Sequence, residues 1–104
     1  LPTTAWAAAP NNPTGLTATA GNTEVALAWT APTSTGGGGG IATYHVEYSL
    51  NGLEWTRVVR TNSQTASYTV TGLTNGTAYQ FRVSGVNDAD IGPWSNRHQR
   101  FLTT

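Results

Sequence analysis

Two places in the sequence set titratable side chains at a spacing that can do chemistry. In "TYHVEYS" His45 stands two residues before Glu47, so on an extended chain both point to the same side. A histidine beside a carboxylate can begin a general-base pair or a metal site, yet either use needs a third group held nearby. The chain contains serines but no G-x-S-x-G elbow, and histidines but no H-E-x-x-H pair. In "NDADIG" Asp88 and Asp90 carry the spacing that opens a calcium loop, while the third carboxylate and the distal bidentate glutamate are missing. A solvated turn is the ordinary use of such a stretch.

Rings and glycines offer the remaining chemistry. Trp6, Trp55 and Trp94 can stack on sugars if their faces are exposed, and can equally serve as packing. Trp55, Trp94, Asp88 and Asp90 are therefore the residues the sequence offers for ligand binding. The run Gly36 to Gly40 is too costly in backbone entropy to order without a reason, and it leads into a strand with no lysine after it. A phosphate cradle needs a helix N-terminus there, so a surface loop is expected. No catalytic, cofactor-binding or metal-ligating residue is identified, and no cofactor is expected.

Composition narrows the partners. Charged residues make up 10% of the 104, against about 25% in an average soluble domain, and the net charge is zero. The basic residues are all arginines, scattered at positions 57, 60, 82, 97 and 100, so the dense positive stripe that neutralises phosphates is missing and nucleic acid is not an expected partner. Without cysteine there is no disulfide, thiolate metal site or cysteine nucleophile, and packing alone must hold the fold. No apolar run approaches the ~20 residues of a membrane helix, so membrane insertion is not expected. "LPTTAWAAAP" lacks the basic start and apolar centre of a signal peptide, and a chain opening at Leu1 reads as a piece of a longer protein.

The elements follow from periodicity. Residues 1–12 are rich in Ala, Pro and Thr and suit a linker or N-terminal extension, which places one domain at 13–104. Within it, short segments of high β-propensity alternate with Gly, Pro, Asn and Thr, and no sustained helical period occurs. "EVALAWT" sets Val25, Leu27 and Trp29 on one face, and "TYHVEYS" does the same with Tyr44, Val46 and Tyr48. Asn51-Gly52 predicts a two-residue hairpin joining that strand to one near 54–60. "SYTV" is a short strand, "AYQFRVSGVN" a long one with Tyr79, Phe81 and Val83 inward, and "SNRHQRFLTT" closes the sheet.

From Pro13 to Thr104 the chain resembles a fibronectin type III domain, on "PTGLTATA", Trp29 in "VALAWTAP", Tyr44 in "ATYHVEYS", Leu73 and Tyr79 in "LTNGTAYQFRVSGVN", and "GPWSN". The resemblance implies an all-β, seven-stranded, two-sheet antiparallel immunoglobulin-like sandwich in which Trp29, Tyr44 and Leu73 are structural and Tyr79 makes a tyrosine corner with the backbone of Leu73 to Gly76. Asn75 stands where the family often has proline, so Asn-Gly geometry replaces a fixed φ in that turn. The fold also implies that Arg82 faces Glu47 across neighbouring strands, as an ordinary surface pair worth under ~1 kcal/mol. Trp94 is expected over the sandwich end and Trp55 along the strand after the hairpin. "NGT" at 75–77 is a glycosylation sequon that coincides with the corner turn.

By the same resemblance the chain is a non-catalytic, monomeric spacer or scaffold module of a larger extracellular, cell-surface or virion protein, with neighbouring domains of the same polypeptide as its partners. Its Thr-, Gly- and Ala-rich texture is similar to that of bacterial members, found in secreted polysaccharide hydrolases and surface adhesins, and to phage structural proteins. The competing class is an adhesion module that binds protein or polysaccharide through its loops or exposed tryptophans. An Arg-Gly-Asp tripeptide is absent, so integrin-type recognition is not implied.

Overall fold

Alternation of apolar and small residues builds the strand at the centre of the first sheet. In β2 (Glu24–Thr30) Val25, Leu27 and Trp29 are buried while Ala26 and Ala28 face solvent. β1 (Thr14–Gly21) runs antiparallel on one side of it, joined through Asn22 and Thr23, the latter at φ +57°. β5 (Ser67–Val70) pairs with its other side, giving the order β1-β2-β5. The computed structural model describes residues 10–34, 40–87 and 91–101. The glycine run apart from Gly40, together with Asp88 and Asp90, lies outside them.

The second sheet is built on β6 (Ala78–Val86), whose Tyr79, Phe81 and Val83 point inward. β3 (Thr43–Ser49) flanks it on one side and carries the two-residue β4 (Thr56–Arg57) at its edge. On the other side β7 (Ile91–Trp94) and β8 (His98–Phe101) both pair with β6. The architecture is thus an all-β sandwich of two antiparallel sheets, with its last strand broken in two. The break has a cause: Ser95 N–H donates to the Val83 carbonyl at 2.7 Å while Ser95 Oγ accepts from Val83 N–H at 3.0 Å, which anchors the chain between the two pieces.

Between the sheets Trp29 and Tyr44 meet edge to face, with ring centroids 5.1 Å apart. Val25, Leu27, Val46, Val70, Leu73, Phe81 and Val83 complete the core. Tyr79 is 7% exposed, and its hydroxyl oxygen accepts the Thr74 N–H at 3.1 Å. The same connection is tied to the β1–β2 turn by three hydrogen bonds. Leu73 N–H donates to the Thr23 carbonyl (2.9 Å), Thr23 N–H donates to Asn75 Oδ1 (2.8 Å), and Asn75 Nδ2 donates to Asn22 Oδ1 (2.8 Å). Asn75 thus replaces a locked φ with cross-turn hydrogen bonds, and Gly76 at φ +74° absorbs the left-handed step.

One sequence expectation fails locally. The β3–β4 connection is not a two-residue hairpin but runs from Leu50 to Trp55. Asn51 does not supply the turn's backbone angle. Its Oδ1 instead accepts from Leu53 N–H (2.8 Å) and Glu54 N–H (3.1 Å), while Ser49 Oγ accepts from Gly52 N–H (2.8 Å). β4 is also shorter than the 54–60 expected, because the chain must cross to the other sheet. Val58 N–H still donates to the Val46 carbonyl (2.8 Å), but Arg60 already lies 4.6 Å over the Tyr68 ring of β5, and Ala66 accepts from Trp29 N–H (3.1 Å).

The described chain enters and leaves at opposite ends of β6. Pro10 is fully buried against Gly85 and Gly92, with its carbonyl where a Gly92 side chain would stand, and Asn11 N–H donates to the Ser34 carbonyl at 2.9 Å. Phe101 pairs in register with Ala78, seven residues back along β6 from Gly85, about 23 Å away.

Removing only the corner hydroxyl, Tyr79→Phe, should lower stability by ~1–2 kcal/mol, and Trp29→Ala should lower it by ~3–5 kcal/mol through a core cavity. Urea unfolding curves measure both. A Tyr79→Phe variant as stable as the parent would show that the hydroxyl does not hold the corner.

Candidate functional site

The side chains pointing outward from the second sheet form one connected array. Register places Glu47 of β3 opposite both Arg82 of β6 and Arg57 of β4. Arg82 donates to Glu47 Oε1 through Nε (3.0 Å) and Nη2 (2.6 Å), while Arg57 donates to Oε2 through Nε (3.1 Å). Both carboxylate oxygens are engaged, and Glu47 is only 6% exposed. This is more than the surface pair read from sequence. A second arginine from the edge strand and two aromatic rings exclude water from it.

Those rings are Trp55 and Trp94. The Arg82 guanidinium lies 4.2 Å from the Trp55 ring centroid and 4.1 Å from that of Trp94, so it is held by both. Trp55 has a further cation, Arg97, 5.3 Å from its centroid. The position of Trp94 follows from its pairing with Ser84, next along the outer face of β6 from Arg82. That of Trp55 follows from its place one residue before β4, on the same face as Arg57. The sequence offered these tryptophans as candidate sugar platforms and expected Trp94 over the sandwich end; the structure brings both together around Arg82 on the outer face of the second sheet. The pairing of Arg82 with Glu47 was expected; Arg57 and Arg97 were the members that the sequence did not flag. Arg57 lies on the short edge strand β4 and Arg97 in the connection before β8, and neither position carries a specific signal.

The array is poorly suited to acid–base chemistry. Glu47 gives its lone pairs to two arginines, and Ser84, opposite His45, is completely buried. Burial and the charge of Arg57 hold the His45 imidazole below its ordinary 6.5, with Glu47 pulling partly the other way. His98 on β8 is lowered as well, by burial and by Arg100. Among the described residues no group of three or more histidines and carboxylates converges as a metal site would require.

The asymmetry of exposure sets the energetics. Glu47→Ala would leave Arg82, 19% exposed, without its counter-ion between two rings and should destabilise by about 3 kcal/mol. Arg57→Ala, at a side chain 47% exposed, should change stability by under ~1 kcal/mol. Equal effects in denaturant melts would overturn the view that the Arg82 half carries the array. The histidines give a pH dependence of definite sign. Their native values are depressed, so the unfolded chain takes up protons first on acidification. Their contribution is complete above 6.5 and is lost as pH falls from there through the depressed native values. His45→Gln should flatten that slope; an unchanged slope would assign the dependence elsewhere.

With this geometry in place, comparison with known proteins is informative. The chain is 50% identical over 76 residues to Exoglucanase A of Cellulomonas fimi, a match that takes in 72% of the chain and 8% of that protein. It is 47% identical over 88 residues to Exoglucanase B of the same organism, over 84% of the chain and 7% of that protein. The chain therefore spans under a tenth of the length of these relatives, as one module of a larger polypeptide does. Domains A168–A170 of titin superpose with a TM-score of 0.83 at 30% identity, covering 92% of the chain and 33% of that structure. The model of the "Fibronectin type III domain" matches residues 11–101, almost the whole of the described sandwich, and the chain belongs to that family.

Proposed function

We propose that the chain is a non-catalytic spacer module of a secreted bacterial polysaccharide hydrolase, holding neighbouring domains of one polypeptide apart. The observation that carries this reading is the placement of the chain ends. Entry at Pro10 and exit at Phe101 lie at opposite ends of β6, so force and distance pass along the strands. Similarity to short stretches of two exoglucanases supplies the context. The outer face supports the same role. Trp55 and Trp94 each give a ring face to Arg82, which leaves less aromatic surface for a sugar. In this reading the linker side of the boundary expected at 1–12 ends before Pro10, which already packs in the module.

A spacer should bind nothing tightly and remain single. The purified chain mixed with microcrystalline cellulose and with chitin should stay in the supernatant, release no soluble sugar, and scatter light as a monomer. Saturable depletion onto either polymer that disappears in Trp94→Ala would replace the spacer by a binding module.

A further inference from the structure

Three clefts run together along the open side of the sandwich. The first, about 380 Å³, lies beside Tyr48, Leu50, Glu54 and Thr56. The second, about 250 Å³, shares Tyr48 and Thr56 with it and continues past Val58 and Val59 to Tyr68. The third, about 290 Å³, shares Arg57, Val58 and Val59 and ends at Arg60 and Asn62. All three surround β4, the edge strand of its sheet, and β5 is the facing edge strand of the other. Leu50 (65% exposed), Leu53 (84%) and Val59 (96%) stand along the same stretch of chain. Leu50 and Val59 line the groove itself, and large apolar side chains this exposed beside a continuous groove mark a contact surface more often than chance.

The backbone adds direction. Val58 N–H bonds to the Val46 carbonyl, so by antiparallel alternation the amide of Arg57 points away from β3 toward the open side, and the same alternation carried past the end of β4 turns that of Val59 with it. They offer donor and acceptor at the two-residue repeat of a β-ladder. Charge is graded along the groove, with Glu54 at the turn end and Arg57 and Arg60 at the other. Both oxygens of Glu47 are taken, whereas Arg60 makes no ion pair among the described residues; its Nε and Nη1 are buried beside the Tyr68 ring without a hydrogen-bond acceptor. Two copies paired antiparallel about Arg57 would set Arg57 against Arg57, which favours an acidic strand over a second copy as the occupant. A polypeptide fits where a polysaccharide does not, because the ladder repeat asks for alternating N–H and C=O.

We propose that the β4 edge docks an extended polypeptide segment with alternating apolar and acidic side chains, which adds to the sheet as a strand. Its apolar side chains lie against Val59 and the leucines, and its carboxylates meet Arg57 and Arg60.

The probe is a blocked peptide of about seven residues alternating valine with aspartate, titrated into the labelled chain and followed by amide NMR. Two controls are the same peptide with lysine for aspartate and a soluble cellulose oligosaccharide. Saturable shifts at Arg57, Val59 and Arg60 are expected, with binding about tenfold weaker for the lysine peptide and for Arg60→Gln. Val59→Pro removes an outward N–H while leaving the Val58 bond, and should abolish binding; Arg60→Gln keeps the test decisive if that variant fails to fold. Absence of saturation, equal binding of the lysine peptide, or shifts at these amides with the oligosaccharide alone would overturn the proposal.

Discussion

The structure depends on the contact between two inward sheet faces, and above all on Trp29 meeting Tyr44 edge to face. With no cysteine and few charges, nothing else in the chain can supply a comparable stabilisation. The two rings come from different sheets, so their contact fixes the separation and angle at which β2 faces β3. Every later feature inherits that geometry. Tyr79 reaches Thr74 because β6 is pinned under the first sheet, and β6 in turn sets where Arg82 emerges on the outside.

The outer face then behaves as a second, polar layer of packing. A carboxylate taken out of water requires full hydrogen bonding, and Glu47 has it from two neighbouring strands. Arg82, once paired, still presents a flat cation, and the two indoles cover it. The array links β3, β4, β6 and β7 without using the core, so it ties the edge of the sheet to its centre.

Legibility followed the range of the interactions. The core strands were readable because Val25, Leu27 and Trp29 repeat at the period of a strand, and Tyr79 because its turn and family context stand beside it. The β3–β4 connection was misread because Asn51 can serve a tight turn through its backbone or a wider one through its side chain, and only Ser49 and the path of β4 decide between them. The arginine–tryptophan array was illegible for a different reason. Trp55, Arg82 and Trp94 are far apart in sequence, and their meeting is set by strand register, which no local pattern encodes.

The two kinds of surface also differ in what they leave unsatisfied. On the outer face the principal charge, Glu47, has its partners and the rings their cations, so a ligand there must displace something already bound. Along β4 the opposite holds: apolar side chains are exposed, outward amides lie at an edge, and Arg60 lacks a counter-ion among the described residues. An edge of this kind endures in a neutral, weakly charged protein only if it is short and its charges repel a second copy. β4 meets both conditions. A strand of two residues, with Arg57 inside it and Arg60 three residues beyond, discourages pairing with itself by the same charges that would draw an acidic strand.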